Sequence, residues 1–306
     1  MIIVINMFAK IRNLIRYFKY LENPIECLKF KFGKTNTCNV KIKNEKTVLK
    51  INYVPILDKL MHYLPLTPKS KYPELIRYFT ELSNDEKIVT INTIKYINTL
   101  NSEFIKKHPY NYNACNDEYF SDDEWDMIDF KNRHVIDIGG NVADSALDFA
   151  NNGAEVIAFE PVKHLYEIGL ENISLNPELS ENITFINKAV GAKSGKIDIT
   201  ADSLKSYIST NENYEIDVIT IEDILKDYKI KPDILKMDCE GCEFEIIAKY
   251  DLSMFNDVIF EHHSKIVGKD YNQLIEILKN QGFEINTYPC NSSQRPFNEI
   301  GIIHAF

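Results

Sequence analysis

The sequence has no run of about 20 uninterrupted apolar residues, the length that a membrane-spanning helix needs. Its start places a short apolar stretch before the basic residues, which reverses the order of a secretory signal, and no small-residue cleavage site follows. The six cysteines form no disulfide-scaffold pattern, and this favours a reducing compartment. We therefore expect a cytoplasmic protein.

Charge is unevenly distributed along the chain. Residues 1–50 contain eleven Lys and Arg against three Asp and Glu, whereas the whole chain of 306 residues has a formal net charge of −10. The remainder of the chain is acidic, which argues against a surface there that binds nucleic-acid phosphates. We therefore expect no nucleic-acid partner. Residues 7–21 are predicted to form a basic helix, and we expect this helix to pack on its own domain. Peripheral membrane contact through residues 1–21 is the alternative.

The spacing of hydrophobic residues changes along the chain and predicts two regions. Residues 1–115 are expected to form an N-terminal α+β region, with a hairpin over 38–52 and helices over 74–82 and 84–106. In residues 116–306 strands and helices alternate, which implies an α/β fold with a mainly parallel sheet and a final antiparallel hairpin. The predicted strands are 135–138, 155–159, 183–186, 195–200, 234–237, 257–261, 283–287 and 300–305. The predicted helices are 143–152, 162–175, 222–229, 243–250 and 270–281.

The stretch HVIDIGGNVADSALDFA, residues 134–150, joins a buried strand to a helix through a glycine pair. Ligands of open parallel sheets bind beyond the carboxyl ends of the strands, so this turn is a candidate ligand site. The dinucleotide-binding motif Gly-x-Gly-x-x-Gly, started at Gly139, requires glycines at positions 141 and 144. The sequence has Asn141 and Asp144 there. That mismatch argues against an NAD(P)-binding oxidoreductase.

The same turn resembles the first motif of class I S-adenosylmethionine-dependent methyltransferases, Asp-x-Gly-x-x-x-Gly, with Asp137, Gly139 and, in the third place, Ala143. We therefore predict S-adenosylmethionine as the cofactor. Asp137 is expected to order the methionine ammonium, while backbone groups of Gly139, Gly140 and Asn141 meet the carboxylate and ribose.

Two further cofactor contacts are predicted after the next two strands. Glu160 follows strand 155–159, where an acidic side chain can accept hydrogen bonds from both ribose hydroxyls in NAD and S-adenosylmethionine sites alike. Asn187, in the loop after strand 183–186, is the polar group best placed for adenine.

A second motif, DILKMDCEGCEFEII at residues 233–247, follows the fourth strand. It resembles the Lys-x-Asp-x-Glu-Gly-x-Glu signature of the FkbM-type methyltransferase family. The likeness covers about residues 117–306 and implies a class I, Rossmann-like, doubly wound sheet of seven strands whose last strand is antiparallel. It also implies methylation of hydroxyl groups, often on sugars or polyketide-like products. The matching residues are Lys236, Asp238, Glu240, Gly241 and Glu243.

Methyl transfer to a hydroxyl requires a base, because a hydroxyl is a poor nucleophile near neutral pH. Asp238, Glu240 and Glu243 are expected to converge on the acceptor with one histidine. His262 and His263 are adjacent on a strand end and point in opposite directions, so at most one faces the pocket, and we choose His262. The alternative for Glu240 and Glu243 is that they only stabilise a helix N-terminus.

Cys239 and Cys242 are assigned no role, because no second pair and no suitably spaced histidine completes a zinc site. We assign no metal ion, although Asp238, Glu240 and Glu243 remain an alternative set of divalent-cation ligands.

The turn at residues 238–241 lacks the Asn/Asp-Pro-Pro-aromatic sequence of amino-directed enzymes, which favours oxygen as the acceptor atom. The predicted function is O-methylation of a sugar, glycolipid or small metabolite, so the expected partner is a small-molecule or glycan acceptor. An RNA methyltransferase is the second hypothesis. An NAD(P)-binding oxidoreductase or a non-catalytic nucleotide-binding module is the third.

Overall fold

A computed structural model describes residues 14–107, 119–120, 125, 127–199, 214–290 and 295–306. The chain divides into two compact units. The first comprises Met1–Thr93, Asn98–His108 and Asp117–Asp123, and the second comprises Ile94–Ile97, Pro109–Asn116 and Glu124–Phe306. The boundary predicted after residue 115 lies outside the described residues and stays a prediction.

The first unit combines helices and short strands. β1 and β2 pair in antiparallel fashion, which confirms the predicted hairpin over 38–52. The inward side chains of both strands are buried with the apolar faces of α3 and α4. Its elements are α1 (residues 14–20), α2 (Pro24–Lys31), β1 (Cys38–Lys41), β2 (Val48–Ile51), α3 (Val54–Tyr63), a 3-10 turn (Lys69–Lys71), α4 (Tyr72–Ser83), β3 (Ile88–Ile91) and α5 (Ser102–Lys107).

The described part of the first helix exposes Leu14, Ile15 and Phe18, while Tyr17 is buried. Residues 1–13 lie outside the described residues, so the choice between packing and membrane contact stays a prediction. Within the ranges that the structure describes, no helix combines the length and apolarity needed to cross a membrane.

The single helix predicted over residues 84–106 is wrong. The segment contains β3, then β4 (Ile94–Ile97), and only afterwards helix α5. Asn92 and Thr93 both have positive φ, 45° and 68°, which is the backbone of a tight two-residue turn. Burial alternates from residue to residue on both sides of that turn, and this period of two is that of strands rather than of a helix.

The second unit contains the large sheet and its covering helices. Its elements after β4 are β5 (His134–Ile138), α6 (Asp144–Asn151), β6 (Glu155–Phe159), α7 (Lys163–Ser174), α8 (Pro177–Ser180), β7 (Ile183–Ile186), β8 (Ala189–Val190), β9 (Gly195–Ile199), β10 (Tyr214–Ile219), α9 (Ile221–Tyr228), β11 (Ile234–Met237), α10 (Cys242–Lys249), β12 (Asp257–His262), α11 (Ser264–Val267), α12 (Asn272–Asn280), β13 (Ile285–Pro289) and β14 (Gly301–Ala305).

The large sheet has seven strands in the order β13-β14-β12-β11-β5-β6-β7. The pairs β12-β11, β11-β5, β5-β6 and β6-β7 are parallel, and β14 is antiparallel to both of its neighbours. This confirms the predicted seven-stranded, mainly parallel α/β sheet with its antiparallel last strand. The strand order reverses direction between β5 and β11, so their carboxyl ends border the crevice where such sheets bind ligands.

A smaller sheet in the order β8-β10-β9 follows β7. Strand β9 confirms the inserted strand predicted over 195–200, except for residue 200, which lies outside the described residues. Strand β10 was not predicted, although it alternates apolar and acidic residues over EIDVI.

Two buried asparagines connect β4 to the turn that follows β5. The Asn172 side chain accepts a hydrogen bond from Ile97 N (2.8 Å) and donates one to Val142 O (2.9 Å). Asn176 accepts from Lys95 N (2.9 Å) and donates to Lys95 O (2.8 Å). These amides satisfy backbone groups that burial would otherwise leave unpaired.

Candidate active site

The glycine turn after β5 lies against the end of β11. Gly139 has φ +85°, and a Cβ built on it would lie 1.8 Å from the carbonyl oxygen of Asp238. The Asp238 N–H in turn donates to Ile138 O (2.8 Å). Only glycine fits this close backbone contact, which brings the two predicted motifs together.

The N–H groups of the turn are engaged within the protein. Gly139 and Gly140 both donate to Phe159 O, at 3.0 and 2.9 Å, and Asn141 N donates to Glu160 Oε2 at 2.9 Å. The turn is therefore held against the end of β6. Direct cofactor contacts by the backbone of these residues stay a prediction.

Glu160 lies at the tip of β6 and is 5% exposed. Its other oxygen accepts a hydrogen bond from Val162 N (2.7 Å). Burial raises the pKa of Glu160 to about 8, against the lowering effect of the Val162 and Asn141 N–H groups. A carboxylate has about four acceptor positions, so two remain for the paired hydroxyls of a ribose. This donor and acceptor balance fits the adenosine part of S-adenosylmethionine.

The side chain of Asn187 donates to the carbonyl oxygens of Glu160 (2.8 Å) and Pro161 (3.1 Å). It therefore holds the loop after β6 beside the loop after β7. Its predicted contact with adenine stays a prediction.

Asp137 and Lys236 form a buried ion pair on neighbouring strands. Asp137 Oδ1 lies 2.8 Å from Lys236 Nζ, and its Oδ2 accepts from Ser145 Oγ (2.6 Å). Lys236 Nζ also donates to Gly139 O (3.1 Å). Although burial favours the neutral amine, the charges of Asp137 and Asp238 raise the pKa of Lys236, so the lysine stays charged. The pair fixes the turn, and contact of Asp137 with the methionine ammonium stays a prediction.

A group of carboxylates surrounds one nitrogen of His263 at the ends of β11 and β12. The Nε2 atom lies 3.4 Å from Glu261 Oε2, 3.5 Å from Glu240 Oε2 and 3.7 Å from Asp238 Oδ1. Burial alone would lower the pKa of His263, but the Glu243 and Glu261 carboxylates beside the ring and the Asp238 charge raise it to about 11. We call Asp238, Glu240, Glu243, Glu261 and His263 the acid cluster.

His262, the histidine chosen from the sequence, does not contact the acid cluster. Its ring stacks on Tyr271 and meets Phe297 edge-on, at centroid distances of 4.8 and 4.9 Å, and its Nδ1 lies 3.0 Å from Ser264 Oγ. Burial lowers the pKa of His262 to about 4, so the ring is neutral near pH 7. His263 takes the predicted place because residues 261 and 263 point to the same side of an extended chain.

Glu243 also departs from its predicted position facing the acceptor. It is fully buried, and its Oε1 accepts from His263 N (2.9 Å) and lies 3.3 Å from His263 Nδ1. Its Oε2 accepts from Gly241 N (2.9 Å). Both oxygens are thus turned into the protein, and Glu243 orients His263.

Asp238 and Glu240 keep 36% and 35% of their side-chain surface exposed at the end of β11, and their predicted contact with an acceptor stays a prediction. Burial and the neighbouring Glu261 carboxylate raise the pKa of both side chains. Glu240 Oε2 accepts no hydrogen bond from any described residue. Glu240 and the following Gly241 have positive φ, 56° and 122°, and this sharp turn presents the carboxylate.

Cys239 and Cys242, which were assigned no role, are joined by a disulfide that the cysteine pattern did not predict. Their Cα atoms are 5.5 Å apart across the turn into α10, a separation typical of disulfides. The bond removes both thiols from metal binding.

Comparisons with known proteins agree with this geometry. The family model described as the methyltransferase FkbM domain matches residues 137–285. No curated protein matches the chain.

Three solved methyltransferase structures are similar at low identity. An FkbM methyltransferase from Methylobacillus flagellatus KT is 15% identical, with TM-score 0.44, over 83% of this chain and 59% of that one. A precorrin-6y C5,15-methyltransferase from Geobacter metallireducens GS-15 is 14% identical, with TM-score 0.38, over 63% and 93%. The magnesium protoporphyrin IX methyltransferase of Synechocystis PCC 6803 is 16% identical, with TM-score 0.37, over 57% and 70%. The chain thus spans 59% of the length of the FkbM structure.

Proposed function

We propose that this chain, which carries a methyltransferase FkbM domain and uses S-adenosylmethionine as methyl donor, methylates a hydroxyl oxygen of a sugar, glycolipid or small metabolite. The observation that carries the proposal is the acid cluster beside the glycine turn, because it supplies bases next to the cofactor crevice. The proposal includes a cytoplasmic location and, given the acidic main body, no nucleic-acid partner.

Two sets of residues hold the cofactor. Glu160 has acceptor positions for the ribose hydroxyls, and the backbone of the turn from Gly139 to Asn141 forms the adjoining wall, held to Glu160 through Asn141 N. Lys236 keeps that wall in place through Asp137 and Gly139 O. When bound, S-adenosylmethionine supplies an activated methyl group. The protein contributes by holding the acceptor oxygen in line with it, which is worth about 7 to 11 kcal/mol in well-oriented systems.

Glu240 is the base in this proposal. Its raised pKa makes the carboxylate a stronger proton acceptor than an ordinary glutamate. Its Oε2 is buried 3.5 Å from His263 Nε2, and 35% of the side-chain surface is exposed and accessible to an acceptor. Glu240 would take the proton of the acceptor hydroxyl as the methyl group passes to that oxygen, with the carbon–sulfur bond broken and S-adenosylhomocysteine as the leaving group. Asp238, equally accessible at the crevice, lies on the same side of His263.

The experiment incubates the purified chain with methyl-labelled S-adenosylmethionine and pooled glycans, glycolipids and small metabolites, and locates the label by mass spectrometry. We expect an O-methyl product and a fall in rate of about 10²–10⁴-fold for Glu240→Gln, the range for loss of a general base. Glu245→Gln, an exposed glutamate on α10, the helix that follows the turn, is the matched control. Label on nitrogen or carbon, or equal rates for both variants, would refute the proposal.

A further inference from the structure

The distances around His263 Nε2 are too long for charge-assisted hydrogen bonds. Such bonds between a cationic N–H and a carboxylate measure about 2.7–2.9 Å, whereas Glu261, Glu240 and Asp238 stand at 3.4, 3.5 and 3.7 Å. A single hydrogen on Nε2 also cannot serve three carboxylates. The atoms are therefore arranged around a common space rather than around a shared proton.

The size of that space suits a metal ion. With ligand bonds of about 2.0–2.2 Å, neighbouring ligand atoms of a four-coordinate ion are about 3.3–3.6 Å apart. Ligand atoms of Asp238, Glu261 and His263 all lie within 4.8 Å of one another, close enough for one ion to contact all three after small adjustments. Glu261 and His263 are buried, whereas Asp238 faces the crevice.

The position of Glu243 behind His263 supports a metal site. Metal-binding histidines usually direct their other ring nitrogen at a carboxylate, which fixes the tautomer and ring orientation. Here Glu243 Oε1 lies 3.3 Å from His263 Nδ1 and is itself anchored by His263 N at 2.9 Å. Because Glu243 faces Nδ1, the Nε2 atom is the one directed at Asp238 and Glu261, and a metal ion bound there would replace the proton that Nε2 carries without it.

The charges around His263 also favour a bound metal ion. Asp238, Glu240 and Glu261 place three carboxylates around one imidazole nitrogen, and Lys236 is already paired with Asp137. A divalent cation at Nε2 balances these charges better than one proton does.

We propose that Asp238, Glu261 and His263 bind one divalent metal ion that prefers oxygen and imidazole ligands, with Mn²⁺ as the representative probe. Three protein ligands leave coordination positions open on the crevice side, as in catalytic metal sites. An acceptor hydroxyl bound there would lose its proton to Glu240 more readily. That role rests on the proposed function, whereas binding of the ion does not.

The test titrates the full chain, after treatment with EDTA and without cofactor or acceptor, with MnCl₂ and follows free Mn²⁺ by electron paramagnetic resonance. We expect one tight site per chain, weakened at least about 100-fold in Glu261→Gln and about 10- to 100-fold in Glu243→Gln, the usual effect of losing a histidine's carboxylate partner. Glu245→Gln is the control and is expected to bind like the wild type.

Circular dichroism and binding of S-adenosylhomocysteine check the fold of each variant, and Asp238→Asn replaces Glu261→Gln if that variant fails to fold. Absence of a stoichiometric site in the wild type, or equal affinity in Glu261→Gln and Glu245→Gln, would overturn the proposal. Hydroxyl methylation by a chain that binds no Mn²⁺ would overturn the metal site alone. Tight Mn²⁺ binding without methyl transfer would leave the metal site standing and count against the proposed function.

Discussion

The carbonyl oxygen of Asp238 occupies the space that a Cβ atom on Gly139 would need, at a distance of 1.8 Å. Gly139 belongs to the glycine turn and Asp238 to the acid cluster. Because Gly139 has no side chain, the backbones of the glycine turn and of the acid cluster can lie in direct contact.

Gly139→Ala is expected to cost more than about 3 kcal/mol of stability, because the clash with β11 adds to the cost of about 1 kcal/mol for a positive φ. Urea unfolding measures the loss. Gly282→Ala is the matched control, since Gly282 has φ +102° with no atom within 4 Å of the added Cβ. Similar losses in the two variants would show that Gly139 makes no close contact.

Asn172→Ala is expected to lower the free energy of unfolding by about 2–3 kcal/mol, because it removes the partner of the partly buried Ile97 N and of the buried Val142 O. Asn152→Ala removes an exposed side chain that bonds only Asp148 O, and we expect a loss below about 0.5 kcal/mol. Chemical denaturation compares the two. Equal losses would contradict a bridging role for Asn172.

The pKa of His262 is lowered to about 4 in the folded chain, so an unfolded chain binds more protons between pH 6.5 and 4. The stability that neutral His262 contributes is therefore complete above about pH 6.5 and is lost as the pH falls towards 4. His262→Phe keeps an aromatic ring and cannot titrate. Between pH 7 and 4.5 the variant is expected to lose about 2 kcal/mol less than the wild type in urea unfolding. Parallel pH profiles would contradict burial of a neutral His262.

Membrane contact through residues 1–21 is tested by flotation of the full chain with acidic liposomes. If this contact occurs, flotation requires residues 1–21 and decreases with salt, because basic residues contribute about 1 kcal/mol each near an anionic surface. The exposed Leu14, Ile15 and Phe18 are consistent with either outcome. Equal flotation of a chain without residues 1–21 would reject the contact.

The strands of the large sheet were predictable because each is a short apolar run bounded by turn residues. The bounds 155–159, 183–186 and 234–237 agree with β6, β7 and β11. The prediction of one helix over residues 84–106 failed because a short hairpin and a helix follow each other there without glycine or proline between them. The chain reverses at Asn92 and Thr93, and this turn depends on positive φ at both residues. An Asn-Thr pair is not a strong sequence signal for such a turn.

Within the site, residue types were predictable but orientations were not. The motif predicted the carboxylates at 238, 240 and 243, yet only the structure shows that Glu243 turns inward to His263. Glu261 carried an overlooked signal: an acid that alternates with His263 places both on one side of the chain. That parity would have favoured His263 over His262. The buried Asn172 and Asn176 act on strands far away in sequence, so local patterns could not reveal them.

Calorimetric titration with S-adenosylhomocysteine tests the central claim, that the ends of β5 and β6 bind the cofactor. We expect one site per wild-type chain, affinity lowered at least about 100-fold in Glu160→Ala through loss of the ribose hydrogen bonds, and unchanged affinity in Glu155→Ala, an exposed acid on the same strand. No binding by the wild type, or equal binding by both variants, would contradict the account.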